Sequence, residues 1–503
     1  MNADLGLKTD PQADLPLYRQ IATQLAERIR DGTLPPGFRL PPTRKLAAAL
    51  GTNRNTVVAA FELLTTNGTL LSVVGRGTFV ADAPAPRPMA ALEPGKFPWS
   101  SVISRTTESG SLQVADRLRR RVAQAPERDL INLQRMEPSP DLLPAEDLRR
   151  CVAHALKTEG AAALGYAPRE GLPRLRTAIA DDLARRGVPV AAEELLVTTG
   201  SQQALDLVAR ILIEPGDTML VQNATYTGAI HVLAAAGARL VGVADDDEGP
   251  DMATLDRLGA SGAKGLYLMP TGQNPTGRTI SGPRREALVA WSRRFGIPLI
   301  EDDFSADLHL DDGPAPVALR ALDSQVLHIG TFSKRLIPAL RIGYLAFPKA
   351  LKGHLTTLKH AMDLGSSLVL QHALAEFLQR GYLRTHLRHV LPEYRARRDA
   401  MERGLHKHLP SGMQWSRSQR GVVTWIGLPP DLDADEAFSR ALDLGVLVSP
   451  DALFTVHGQQ RGLRLTFCAE TPRRIMRGTQ RLGQALRACS RTRATGGAAL
   501  AVV

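Results

Sequence analysis

Cysteine is scarce in this chain: three in 503 residues, Cys151, Cys468 and Cys489. They are too few and too scattered for a disulfide framework or a metal knuckle, so no metal site is expected. Long apolar runs are also missing, with nothing near the roughly 18 consecutive residues of a membrane span. The start, MNADLGLKTDPQADLP, lacks the basic and then apolar layout of a secretory signal. Together these absences predict a reducing, cytoplasmic compartment and no membrane partner.

Positive charge is in excess, at a formal +11, but it is not concentrated. Residues 1–80 carry 9 Lys and Arg against 6 Asp and Glu, a surplus of three. More of the excess lies in RRIMRGTQRLGQALRACSRTR near the C-terminus, which reads as a solvated helix face. Charge alone therefore says little about a nucleic-acid partner. The length allows two or three domains and a large core. Hydrophobic content of 44% with 22% charged residues is ordinary for a globular chain.

Three textures are present. Residues 15–80 are compact, with short periodic segments. Residues 81–97 begin ADAPAPRPMAALEPGK, rich in Pro and Ala with no apolar period, and read as a linker. That linker extends as far as 129 unless residues 97–129 form an N-terminal arm of the large domain. Residues 98–490 alternate short apolar runs with helical patterns, without an obvious internal repeat. The runs are LLVTTG, TMLVQN, GLYLMP, IPLIEDD and VLHIGT; between them lie patterns such as QQALDLVARIL and PRREALVAWSRRF. That alternation predicts an α/β domain with a mostly parallel sheet, in which ligands sit at the carboxyl ends of the strands. The tail, residues 491–503, reads as disordered.

In the front segment, Leu17, Ile21, Leu25 and Ile29 recur every four residues, one apolar face of a helix ended by Gly32. TRKLAAAL predicts a second helix with Thr43 as N-cap. NRNTVVAAFELLTTNG predicts a third, with Val57, Phe61 and Leu64 inward. LLSVVGRGTFVA closes the unit as two strands about a Gly-Arg-Gly turn. Helix, helix, turn, helix and hairpin make a winged helix-turn-helix, an α+β unit that binds double-stranded DNA. Asn53, Arg54, Asn55 and Thr56 stand in the first turn of the third helix, able to reach base edges or phosphates. Arg44 is placed for a phosphate, and Gly75 and Arg76 form the wing tip.

GTFSKRLIPALRIGY, residues 330–344, carries too much charge for a core strand and makes a poor surface helix. Thr331, Ser333 and Arg341 could clamp one phosphate, with Lys334 over the carbonyl carbon of the same ligand. Other strand ends supply matching parts. The helix start at Ser201 and Gln202 offers backbone amides to a phosphate. Asp302 ends an apolar strand, suited to a pyridine nitrogen, and Asn274 lies in a turn where its amide could bind a ring hydroxyl. Tyr226 could stack on the ring, and Arg464, on a strand, suits a ligand carboxylate. Each piece alone has a plain structural alternative: a turn, a cap, or an ion pair for Arg464. The whole set in this order on an alternating chain is hard to obtain by chance.

Residues 16–80 resemble the DNA-binding domain of GntR-type bacterial regulators almost throughout. TTGSQQAL, GQNPTG, IEDD, GTFSKRLIPALRIGY and GLRLTF resemble fold-type I aminotransferases over roughly residues 130–488. The whole chain is similar to the MocR/GabR subfamily of GntR regulators. That resemblance implies pyridoxal 5'-phosphate as cofactor, Lys334 as its Schiff-base lysine, Asp302 as the partner of the ring nitrogen and Arg464 as the anchor of a ligand carboxylate. It implies a head-to-tail homodimer, an amine or amino-acid effector sensed by exchange at Lys334, and two half-sites on DNA. Three positions depart from the pattern. Phe304 stands where the family usually has Tyr, VQNATYTG lacks the usual acid and proline before Tyr226, and Asp451 replaces Gly. Asp451 could select a ligand with a positive distal group or could cap a helix. Besides the sensor, two other functions are open: a working aminotransferase with an attached DNA-binding domain, and a sensor of the cofactor itself.

Overall fold

The computed structural model describes residues 5–7, 9–10, 16–30, 33–66, 69–73, 77–80, 99, 103, 110–124, 129–305, 307–458 and 460–497. They fall into two compact units, residues 1–104 and 105–503.

In the first unit α1 (Leu17–Arg30), α2 (Thr43–Ala49) and α3 (Arg54–Thr66) precede the antiparallel pair β1 (Leu70–Val73) and β2 (Gly77–Val80). The four-residue period of α1 buries Ile21 and Leu25 completely against Val57, Phe61 and Leu64 of α3. Leu17 and Ile29 sit half-buried at the ends of that stripe. Truncating Phe61 to Ala would cost about 3–5 kcal/mol, a large part of what holds a domain this small. Two details differ from expectation. Pro42, not Thr43, occupies the N-cap of α2, at φ −54° and ψ 139°, and no side chain caps that helix. A proline there already has extended geometry, so Thr43 is itself helical and the helix begins one residue earlier than a Thr43 cap would place it. Asn53 does cap α3, its Oδ1 accepting the Asn55 amide at 2.9 Å. Gly32, Gly75 and Arg76 lie outside the described residues.

The second unit opens with α4 (Gly110–Ala123), whose Leu118 is buried in the same core as the small sheet described below. Arg117 of α4 pairs with Asp435 at 3.1 Å. Within the stretch 97–129, residues 110–124 are thus an arm of this unit, while 99 and 103 fall in the first unit. The two-residue strand β3 (Ile131–Asn132) comes next in the chain.

The main sheet contains β4 (Leu195–Thr198), β5 (Thr218–Gln222), β6 (Arg239–Val243), β7 (Leu266–Leu268), β8 (Leu299–Asp303), β9 (Leu327–Thr331) and β10 (Gly343–Ala346). Their spatial order is β4-β10-β9-β8-β7-β5-β6. All pairs are parallel except those of β10, which runs antiparallel to both β4 and β9. Strands covered by helices on both faces read as unbroken apolar runs, which is why β4, β5, β7, β8 and β9 were visible in the sequence. β6 is half-exposed at the sheet edge, and the short β10 begins at the end of the Lys334 motif and runs two residues past it.

A second, antiparallel sheet is built from β11 (Gln414–Trp415), β12 (Val423–Gly427), β14 (Ser449–Pro450) and β15 (Gly462–Thr466), in the order β11-β12-β15-β14. Between them β13 (Val446–Leu447) pairs in parallel with β3. The helix Pro472–Gly497 packs along the helix Tyr382–His408. It runs to Gly497, so residues 491–497 are helical where disorder was expected, and 498–503 lie outside the described residues. Of its arginines before residue 490, Arg473, Arg477 and Arg487 are exposed and Arg474 and Arg481 half-buried, with Arg474 and Arg477 both pairing with Asp129.

Candidate cofactor site

The motif that holds Lys334 is the reversal between two neighbouring antiparallel strands. β9 ends at Thr331, the chain turns, a short 3-10 segment covers Pro338–Leu340, and β10 returns from Gly343. Arg341 sits at φ 47° in the left-handed region, which aims it back along the turn. Its guanidinium lies against Gly200, where a Cβ would come within 2.9 Å of Nη2. Gly200, at φ +78°, closes the turn from β4 into the helix Ser201–Leu212. Gly343 approaches the same turn so closely that a Cβ would stand 2.7 Å from the Gly200 carbonyl carbon. The bare backbone thus brings a helix N-terminus and an arginine to one point. The first amides of that helix lack intrahelical acceptors, and both features favour an anion.

Around this point opens a cavity of about 390 Å³. Ser201, Gln202, Tyr226, Asn274, Asp302, Thr331, Ser333, Lys334, Arg341 and Arg464 all line it, so every cofactor and ligand residue proposed from the sequence converges there. Thr331 Oγ1 donates to Ser333 Oγ at 3.1 Å, holding the two hydroxyls together. The Tyr226 hydroxyl donates to Gln202 Oε1 at 3.1 Å, which fixes the ring at the cavity wall.

Burial sets the proton affinities. Half-buried Lys334 donates from Nζ to the Met136 carbonyl at 2.6 Å, and desolvation holds its ammonium below the usual lysine range. Asp302 is buried at the end of β8, and burial pushes its carboxyl up to about 6 against the opposing hydrogen bond from Tyr267. That bond reaches Oδ2 at 2.7 Å, while Oδ1 has no partner among the described residues. An orphaned buried carboxylate oxygen is costly and is seldom left so without a role. Tyr267 was missed in the sequence, although a lone tyrosine inside the apolar run GLYLMP signals a buried hydroxyl that needs a partner.

Arg464, on β15, is buried and desolvation brings it down to about 10. It donates to Asn274 Oδ1 at 3.1 Å, Gln134 O at 2.9 Å and Ser449 Oγ at 3.1 Å, and stacks on Phe454 at 4.8 Å. Among the described residues no carboxylate pairs with it, which removes the ion-pair alternative. A buried guanidinium surrounded by neutral groups is a seat for an incoming anion.

The donor set fits pyridoxal phosphate: an anion seat, a lysine, an unpartnered buried carboxylate oxygen and an aromatic wall in one cavity. Phe304 lines the same cavity and has no hydroxyl to offer. Asn274, already bonded through Oδ1, has an Nδ2 without a partner among the described residues.

Comparison with known proteins agrees with this geometry. The model of bacterial regulatory proteins of the gntR family matches residues 17–80, and that of aminotransferase class I and II matches residues 130–482. The chain is 32% identical to the uncharacterized HTH-type transcriptional regulator YisV of Bacillus subtilis (strain 168), over 92% of this chain and 98% of the relative. It is 30% identical to the probable rhizopine catabolism regulatory protein MocR of Rhizobium meliloti, over 95% of each. The chain belongs to the MocR-type GntR regulators. The large unit of this MocR-type regulator superposes on the α-aminoadipate aminotransferase LysN of Thermus thermophilus, solved in complex with N-(5'-phosphopyridoxyl)-L-leucine. The TM-score is 0.71 and the identity 29%, covering 79% of this chain and 100% of LysN.

One departure is decided by the structure. The Asp451 carboxylate accepts the backbone amides of Gln460 at 3.0 Å and Arg461 at 2.8 Å, pinning the entry to β15. It therefore neither faces the cavity nor caps a helix with its side chain. In the DNA-binding unit of this MocR-type regulator, Arg44, Arg54 and Asn55 are exposed and Thr56 is half-exposed, while Asn53 spends its side-chain oxygen on the cap. No helix among the described residues is long and apolar enough to cross a membrane.

Proposed function

We propose that this MocR-type regulator is a cytoplasmic transcription factor that holds pyridoxal 5'-phosphate at Lys334 and senses an amine or amino acid there. The observation that carries the reading is the buried, unpartnered Oδ1 of Asp302, at the foot of a cavity that also holds Lys334. When bound, the cofactor supplies an electrophilic carbonyl and an electron-withdrawing ring. Arg341, the amides of Ser201 and Gln202, and the hydroxyls of Thr331 and Ser333 would hold its phosphate. Asp302 would keep the ring nitrogen protonated, Asn274 Nδ2 would reach the ring hydroxyl in place of the missing tyrosine, and Tyr226 would cover one face. Lys334, with its proton affinity lowered by burial, is the amine at the carbonyl. Arg464 would take the carboxylate of the effector.

Residues 15–80 would read DNA through Arg44, Arg54, Asn55 and Thr56, residues 81–97 would link, and residues 98–490 would sense. A head-to-tail dimer would present two readers to two half-sites. The effector shifts DNA binding only by as much as it binds two arrangements of the protein unequally. A second reading, a working aminotransferase, is favoured by the lowered proton affinity of Lys334, which suits a proton carrier as well as a binding group.

The test is the visible absorbance of the purified protein with the cofactor, titrated with amines one at a time. The expected result is a long-wavelength band that Lys334→Ala abolishes and that an amine shifts without consuming. Complete conversion to pyridoxamine phosphate would make transamination the primary activity. No band at all would sink both readings of the large unit.

A further inference from the structure

With Asp451 tied to the β15 entry, the cavity still contains a second carboxylate. Among its described lining residues only Asp302 and Glu137 are acidic, and Asp302 faces the foot of the site. Glu137 belongs to a segment that runs beside β15. Thr466 N donates to Leu133 O at 2.7 Å and Thr466 Oγ1 donates to Arg135 O at 2.8 Å. The alternate carbonyls turn the other way, as the pleat of an extended chain requires. Gln134 O accepts Arg464 Nη2 at 2.9 Å, and Met136 O accepts Lys334 Nζ at 2.6 Å. Glu137 is the next residue, and it lines the same cavity as Lys334.

We infer that Glu137 determines specificity, selecting an amino acid whose side chain is an aliphatic stem ending in a cation, of the lysine or ornithine type. The inference rests on the reading that this cavity receives an amino-acid effector. Arg464 takes the α-carboxylate and Lys334 marks the place of the α-amine. Met136 and Pro338 line the same cavity as Glu137, an apolar surface together with a half-exposed carboxylate. An apolar stem with a charged head matches that combination. The present partner of Glu137 is Arg135, at 2.7 Å, with the two side chains 47% and 51% exposed. A pair so open to water contributes little and is readily exchanged for a ligand ammonium. A ligand with a distal carboxylate would have to compete with Glu137 for Arg135, and a neutral one would leave Glu137 on Arg135.

The experiment is a spectral titration of the cofactor-loaded full chain with lysine, ornithine, norleucine and glutamate, for the wild type and for Glu137→Gln and Glu137→Lys. The expected result is that lysine or ornithine shifts the band at about two- to fivefold lower concentration than norleucine, a difference that shrinks with added salt. Glu137→Gln should bring that ratio close to one, and Glu137→Lys should favour glutamate. Norleucine serves as the internal control, because its response shows that the site is assembled in each variant. If norleucine or glutamate matches the basic amino acids in the wild type, or if Glu137→Gln keeps the ratio, the inference is overturned while the sensor reading stands. If no amine moves the band, both fall.

Discussion

Asp302 carries the clearest residue-level consequence. Its folded pKa, about 6, lies above its ordinary value of 3.8. For an acid so shifted, the folded state binds its proton more tightly than the unfolded state does. The protein therefore loses stability as pH rises from about 4 to 6, and the whole cost is present above 6. A shift of about two pKa units corresponds to at most about 3 kcal/mol. Asp302→Asn keeps an oxygen for the Tyr267 hydroxyl and removes the charge. It should raise the melting stability of the cofactor-free protein at pH 8 by about 1–3 kcal/mol and leave it nearly unchanged at pH 4. The same variant should weaken cofactor binding at least tenfold, read by fluorescence titration. A variant that is destabilised at pH 8 would show that Asp302 is a structural acid. Stability given up for a binding role is the usual mark of a functional group.

At the scale of elements, the first turn of α3 sets a capping side chain beside an exposed cation. Asn53 closes the helix through the Asn55 amide, whereas Arg54 is exposed. Asn53→Ala should lower the melting stability of the DNA-binding unit by about 1 kcal/mol, the ordinary cost of a lost cap. Arg54→Ala should leave melting unchanged, weaken DNA binding and reduce the salt dependence by about one phosphate contact. Its cofactor absorbance should match the wild type. Equal DNA affinity for Arg54→Ala would mean that another face of the unit meets the groove. At the strand-turn-helix of Gly200 the missing Cβ leaves room for the Arg341 guanidinium, and the positive φ is one glycine adopts without strain.

For the whole molecule, sensing requires that two ligands, DNA and an amine, act on one equilibrium. Linkage then makes the coupling reciprocal. If a saturating amine changes operator affinity by a given factor, operator DNA must change amine affinity by the same factor. Couplings of this kind are commonly about 5- to 150-fold. Spectral titration of the amine with and without operator DNA measures one side, and DNA binding with and without the amine measures the other. An amine that shifts the spectrum but leaves both numbers alone would make the large unit an enzyme that merely shares a chain with a DNA reader.

Local periodicity and turn chemistry were enough to read the helices of the DNA-binding unit, five of the seven strands of the main sheet, and the polar residues at their ends. Those features depend on neighbours in sequence, so a single chain displays them. Tertiary structure decided what depends on distant neighbours. β10 became a strand because β4 and β9 flank it, although its four residues, GYLA, are too few to announce themselves right after a charged turn. Tyr267 became the partner of Asp302 because parallel pairing sets β7 beside β8. The two readings of Asp451 were settled by backbone amides nine and ten residues away, and Glu137 entered the cavity through a loop with no periodic signal. A sequence displays which groups are chemically able to meet; which of them do meet is set by packing, through burial and the alternation of carbonyls along an extended chain.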